Sequence, residues 1–224
     1  AILYLNRTGC QWRMLPHDLP YWQHVSYYFY KWVADGTIER LNDRLRLQIR
    51  TTLGRESQPS AAVIDSQSVK TTEEGEGQGY DAGKQIKGRK RHLLVDTLGL
   101  LIMVIVTSAS LPDRDGAEEL FNATDGSLPR LRRVWADQSY AGMLVEWVHA
   151  CFAFVLDIVR RPQQQRGFRV LPKRWIVERT LGWLNRYRRL SKDYERRMSS
   201  SEGMVYLAST RRMLRWLDHH HKPA

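Results

Sequence analysis

Apolar residues recur along this chain in two rhythms, and the change of rhythm divides it. In Thr37 to Thr51, Ile38, Leu41, Leu45 and Ile49 are spaced three and four apart, which predicts a helix with one buried face. Trp22 to Ala34, crowded with aromatics, predicts a second helix, and Asp35 and Gly36 separate the two. The polar stretch Gly54 to Ser60 (GRESQPS) reads as a linker. Beyond it the apolar runs shorten to strand length: Ala61 to Ile64, His92 to Val95, Leu100 to Thr107, Leu131 to Ala136 and Phe152 to Val159. The turn at Thr97 to Gly99 joins the second and third as a hairpin would. Helices are predicted over Asp115 to Phe121 and Met143 to Ala150. A long basic helix is expected from Pro172, where a missing amide donor does no harm, to about Arg196. The division is therefore a helical unit at 1–53, a linker at 54–60 and an α/β domain at 61–224, whose first three strands form a meander. Glu73 to Gly79 (EEGEGQG) reads as a flexible loop.

The 224 residues, 42% of them hydrophobic, suffice for a substantial core. A formal net charge of +11 adds something the rhythm does not: so basic a globular chain implies a polyanionic partner, with nucleic acid first. Cys10 and Cys151 lie far apart with no CxxC pair, which argues against a disulfide framework or a zinc knuckle and fits a reducing cytoplasm. The longest apolar run, Leu98 to Val106, is too short to span a bilayer, so no membrane association is expected. The chain begins at Ala1 with no signal-peptide pattern and reads as a fragment without its natural beginning.

Two acids stand directly after apolar strands, Asp65 and Asp137, at the edge where open α/β sheets place their chemistry. Glu178 falls among Val177, Leu181 and Leu184 on the basic helix, close to the face that must pack on the sheet, where an acid needs a partner. The plain alternative is that both aspartates cap turns and Glu178 pairs with Arg174. Taken together, the strand, strand, helix order suits a carboxylate set holding two Mg²⁺ ions about 3.5 to 4 Å apart, able to clamp both oxygens of a phosphodiester displacement.

The segments AILYLNRTGCQWRMLPHDLPYW, AAVIDSQSVKTT, GRKRHLLVDTLGLL, VWADQSYAG and RWIVERTLGWLNRYRRLSKDYE resemble DDE transposases of the bacterial insertion sequence 5 family over nearly the whole chain. The resemblance implies a ribonuclease H-like mixed sheet flanked by helices, with Asp65, Asp137 and Glu178 as the catalytic, metal-binding triad. It implies two Mg²⁺ ions, for which Mn²⁺ can substitute. A metal-activated water and then a DNA 3′ hydroxyl would attack phosphorus, at terminal inverted repeats and in target DNA, within a homodimer or higher assembly. A cytoplasmic, nucleoid-associated setting follows. Arg174 matches the arginine of the family's glutamate signature, whereas Leu171 stands where a tyrosine is expected and Asn185 where a lysine is, with Lys192 or a neighbouring arginine as a substitute.

Lys173 to Arg197 carries nine basic residues against three acidic ones, and Arg174, Arg179, Arg186, Arg188, Arg189 and Lys192 are expected to hold DNA phosphates beside the triad. Lys84, Lys87, Arg89, Lys90 and Arg91 form a second such cluster. Trp12, Trp22 and Trp183 read mainly as core, and Trp175, one turn from Glu178, as a base-stacking residue. His92 reads as a satisfied interior histidine and His219 to His221 as a tail. Two other functions stay open at this point: a DNA-binding regulator that no longer cuts, and a nuclease that cuts without joining.

Overall fold

The helical rhythm of the first fifty residues becomes α1 (Ile2–Thr8), α2 (Trp22–Ala34) and α3 (Thr37–Thr52). Gly36 turns the chain between α2 and α3 at φ 71°, and Asp35 Oδ1 accepts from the Thr37 amide at 2.9 Å, supplying an acceptor for one otherwise unpaired helix donor. These helices belong to a computed structural model that describes residues 1–72, 75–124, 126–160 and 173–220.

Six strands follow: β1 (Ala61–Lys70), β2 (Gly79–Asp81), β3 (Ile86–Asp96), β4 (Leu101–Ser108), β5 (Arg133–Ala136) and β6 (Val155–Ile158). The sheet order is β4-β3-β1-β5-β6, with β2 beside the start of β3. β1 runs antiparallel to β3, from Ala62↔Asp96 to Lys70↔Gly88, and parallel to β5 over Ala61↔Arg133 to Val63↔Trp135. An antiparallel meander continued by parallel strands is the ribonuclease H-like arrangement expected from the sequence.

Alternate residues of a strand face opposite ways, and this splits the core into two layers. Ala62, Ile64 and Leu94 pack with α4 (Asp113–Ala123) and α5 (Met143–Cys151). Val63, Leu93 and Val95 pack with α6 (Trp175–Leu184) and α7 (Met198–His220). Leu5, Phe29 and Ile38 of the first three helices join this second layer. Asn6 Nδ2 donates to the Met204 carbonyl at 2.9 Å, and Arg50 pairs with fully buried Asp96 at 2.5 Å, so residues 1–53 are fastened to the sheet domain through its interior.

The structure corrects two expectations. The helix expected from Pro172 to about Arg196 is interrupted: α6 ends at Leu184, and a 3₁₀ turn at Arg188–Leu190 and irregular chain precede α7, which the sequence reading did not anticipate. Leu181, Leu184, Tyr187 and Leu190 are spaced strictly by three, so on a continuous helix they would drift around the axis. Burying Tyr187 and Leu190 requires the chain to leave the helical path. Pro172 itself lies outside the described residues.

The second correction concerns Arg89, Lys90, Arg91 and Arg189, expected on DNA and found buried. β3 is paired on both edges and covered on both faces, so its basic side chains are spent inside. Arg89 donates to the carbonyls of Glu76, Glu195 and Arg196 and pairs with Asp193 at 3.1 Å. Arg91 donates to the Leu190 carbonyl at 2.9 Å, and Lys90 pairs with Asp113 at 2.8 Å. Arg189 pairs with Glu195 at 2.7 Å. His92 is interior as expected: its Nε2 lies 3.0 Å from Thr107 Oγ1, and burial lowers its pKa to about 4.

Two measurements follow. Asp193→Ala leaves the Arg89 guanidinium buried without its carboxylate and should cost about 3 to 5 kcal/mol in denaturant unfolding. Glu202 has its carboxyl pKa pushed up to about 7, chiefly by burial, while it accepts from the Val106 amide at 2.8 Å. An acid whose folded pKa exceeds its unfolded value binds the extra proton when folded, so its charging destabilises the fold as pH rises from the unfolded value toward 7. Glu202→Gln keeps the acceptor and removes the charge. It should raise stability at pH 8, on the order of 1 to 3 kcal/mol, and flatten the pH dependence of thermal melting across that window.

Candidate active site

Asp65 lies within β1 rather than at its end, because the strand continues for five residues beyond it, and it keeps its partner on β3, Leu93. On the other side, the pairing with β5 stops at Val63. Asp65 therefore sits where β1 and β5 part, on the α6 side of the sheet. Its Oδ1 accepts from the Ser66 amide at 2.8 Å. Burial pushes its pKa up to about 6, against the opposing pull of that hydrogen bond and of Arg174; the charge of Asp137 pushes it further up.

Asp137 follows β5 directly and begins a 3₁₀ turn at Gln138–Tyr140, its Oδ1 accepting from both the amide, at 2.7 Å, and the hydroxyl of Ser139. This is the turn-capping role of the plain alternative, and it leaves Oδ2 free to face Arg174 at 3.4 Å. Arg174 also reaches Glu178 Oε1 at 3.4 Å, one helical turn on, so a single guanidinium bridges the acid after β5 and the acid on α6. Glu178 was expected close to the packed face. It stands instead at the surface, its side chain 48% exposed, while Ile176, Val177 and Thr180 face the core. Strand, strand and helix thus bring Asp65, Asp137 and Glu178 around one arginine.

Ser139, which fixes the Asp137 carboxylate, and Gln67, whose Nε2 donates to Asn185 Oδ1 at 3.0 Å, are site-side residues that the sequence reading missed. A serine two residues after an aspartate is a turn signature and offered the first signal; the second pairing spans 118 positions and offered none. Asn185, standing where the family's lysine is expected, is thereby tied to β1 two residues beyond Asp65. Leu171 lies outside the described residues.

The remaining cations divide by environment. Lys87, Arg186, Arg188 and Lys192 are exposed, as is Lys84, whose Nζ donates to Ser66 Oγ at 3.2 Å. Arg179 lies 4.4 Å from the ring centres of both Trp175 and Trp183 and donates to the Leu98 carbonyl, so it braces the β3–β4 turn. Trp175 is 39% exposed, and Trp12 packs against Phe29 in the core.

Comparison with known proteins bears on the family of this chain. The profile described as "Transposase DDE domain" matches residues 56–211, which include all three acids, the sheet and α6. The chain belongs to the DDE transposase family. A second profile, "Putative transposase of IS4/5 family", matches residues 1–42, the first helices. The chain is also similar to a protein of Burkholderia cepacia named "Putative transposase for insertion sequence element IS402", with 28% identity over 117 residues. That match takes in 49% of this chain and 55% of the relative, so the chain spans about half the length of the curated relative it matches.

The family implies divalent metal, and the residues present can be tested for it. All three donors are carboxylates, the hard oxygen ligands that Mg²⁺ and Mn²⁺ take. Asp65 is an acid held up near 6 by burial and by Asp137, the electrostatic situation a dication relieves. In the arrangement described, no three His, Cys, Asp or Glu side chains among the described residues are gathered closely enough to enclose an ion, because Arg174 takes the position between Asp137 and Glu178. The donor chemistry fits the ions, provided Arg174 withdraws. Arg174→Gln removes a cation that favours the charged form of Asp65, and should therefore move the Asp65 titration, followed by carbon-13 NMR of the side-chain carboxyl, upward from about 6. An unmoved titration would mean that Arg174 does not act on Asp65 in solution.

Proposed function

We propose that this chain is a transposase that cuts DNA at the ends of its element and joins the freed 3′ ends to target DNA, with Asp65, Asp137 and Glu178 as its catalytic carboxylates. The observation that carries the reading is the gathering of acids from β1, from the end of β5 and from α6 around Arg174, within a chain of the DDE transposase family. Two divalent ions held by these acids, Mg²⁺ or Mn²⁺, would supply Lewis-acid activation of the attacking and leaving oxygens of the phosphodiester.

The chain's own residues set the stage for that step. Ser139 holds the Asp137 carboxylate in one orientation, so that one oxygen stays turned toward Asp65 and α6. Arg174, released from the two acids, is placed to pair with the phosphate that arrives between them. Exposed Lys84, Lys87, Arg186, Arg188 and Lys192 offer further phosphate contacts that set the register of the duplex. Terminal inverted repeats and target DNA are the proposed substrates, and joining two ends to one target calls for at least a homodimer.

The test is a labelled duplex carrying the element's ends, incubated with Mg²⁺ or Mn²⁺ or with chelator, and followed for 3′ hydroxyl products and for their joining to a second duplex. Asp137→Asn should lower cleavage by roughly 10² to 10³-fold or more, the scale of removing one charge-stabilising group from a protected site, while leaving the melting temperature close to wild type. Metal-dependent cutting without joining would reassign the chain as a nuclease. DNA binding without cutting under any condition would reassign it as a regulator.

A further inference from the structure

Strand alternation decides which backbone groups of β1 face the cleft. The Ser60 carbonyl accepts from the Arg132 amide at 2.9 Å, on the β5 edge, so the amide and carbonyl of Ser66, six residues on, face that edge as well. The pairing with β5 stops at Val63, which leaves Ser66 no ladder partner on that side. Its amide turns to Asp65 Oδ1 at 2.8 Å. Its carbonyl lies 3.5 Å from the Nζ of Lys84, which donates more closely to the Ser66 hydroxyl at 3.2 Å.

Polar contacts on the α4 side of the sheet hold Lys84 in that place. Ser66 Oγ donates to Asp113 Oδ1 at 2.9 Å, and Asp113 pairs with Lys90 at 2.8 Å. Asp81 fastens the β2–β3 turn: its Oδ1 accepts from the Lys84 amide at 3.0 Å, and its Oδ2 accepts from the Ser68 hydroxyl at 2.5 Å. Gln85, next in the chain, is left-handed at φ 53°, a conformation that a residue other than glycine keeps where its surroundings fix it.

The cations about the cleft then differ in one respect. Lys90 is taken by Asp81 and Asp113, and Arg174 by Asp137 and Glu178. Lys84 is exposed and has no carboxylate within 4 Å among the described residues, yet its charge acts on Asp65 and favours the ionised carboxylate. An ammonium has three donors, and with two resting on Ser66 the third is left for an anion.

We infer that Lys84 contacts the phosphate that reacts, from the α4 side of the sheet and across the cleft from Arg174, and so is a catalytic residue. The inference rests on the function proposed above, and it sets Lys84 apart from the cations that only fix the register of the duplex. The ammonium is a compact point charge already oriented by Ser66. It stabilises negative charge on a non-bridging oxygen of that phosphate without having to move.

The experiment is a binding cycle in chelator, using a duplex with the element's ends whose scissile phosphate is either native or a neutral methylphosphonate. Wild type, Lys84→Gln, Lys84→Arg and Lys87→Gln are compared, with a thermal melt of each. On the native duplex Lys84→Gln should weaken binding roughly tenfold, as for one lost hydrogen bond to a charged group. On the methylphosphonate duplex it should bind as wild type does, because the contact is already gone. Lys84→Arg should restore the dependence on the scissile phosphate, and Lys87→Gln should weaken both complexes alike. With Mg²⁺ and saturating protein, Lys84→Gln should cut the native duplex roughly 10²-fold more slowly. Equal weakening on both duplexes by a folded Lys84→Gln, or a saturated rate equal to wild type, would overturn this inference alone. A wild type that neither binds nor cuts the end-bearing duplex would overturn the proposed function and this inference with it.

Discussion

The structure turns on the unequal pairing of β1. Along one edge it is held by β3 over nine consecutive residue pairs, and along the other by β5 over only three. Both partners are present up to Val63, after which β5 ends in the turn at Asp137 and β1 continues alone on that side. An unpaired strand edge beside a strand terminus is a cleft, and it exists because β5 is four residues long and β1 is ten. Asp65 lies just past the last shared pair and Asp137 just past β5, so the same mismatch that ends the parallel pairing brings the two acids to one place. The α6 helix closes the third side, since Ile176 and Val177 must pack on the sheet, and its first turn then presents Arg174 and Glu178 to the cleft.

The β3 side supplies the rigidity this requires. Buried Arg89 and Arg91 lash the irregular segment between α6 and α7 to the sheet through the carbonyls of Leu190, Glu195 and Arg196. Carbonyls of irregular chain have no ladder partners, and a buried guanidinium satisfies several of them at once. Such residues are costly to bury and costlier to strip of partners. Their burial also means that part of the basic charge is internal framework, while Arg186, Arg188, Lys192, Arg196 and Arg197 stay exposed on the segment between α6 and α7.

Much of this was legible in the sequence, and for identifiable reasons. The apolar runs marked five of the six strands, because each has a covered face, and the order of strands and helices was enough to imply an α/β domain opening on a meander; the ribonuclease H-like sheet was implied by the family resemblance. The three-residue β2 carries no apolar run and was not marked. The three acids were legible individually by their positions after strands and on a helix. Their gathering around Arg174 was not, since it depends on where β1 and β5 diverge. The break after Leu184 went unread because helical charge patterning looks continuous from Lys173 to Arg197, and only the burial of Tyr187 and Leu190 distinguishes the two paths. The interior role of Arg89, Lys90 and Arg91 was equally hidden. A basic run reads as a surface unless the strand carrying it is known to be central.

The central claim is that Asp65, Asp137 and Glu178 share one divalent-ion site. Iron(II) loaded into the protein with peroxide and ascorbate generates hydroxyl radicals at the bound ion, and these cut the polypeptide nearby. The account predicts backbone cuts close to residues 65, 137 and 178 together, suppressed by excess Mg²⁺ and lost in Asp65→Asn. Cuts at only one of the three segments, or confined to the histidines at the end of α7, would contradict it.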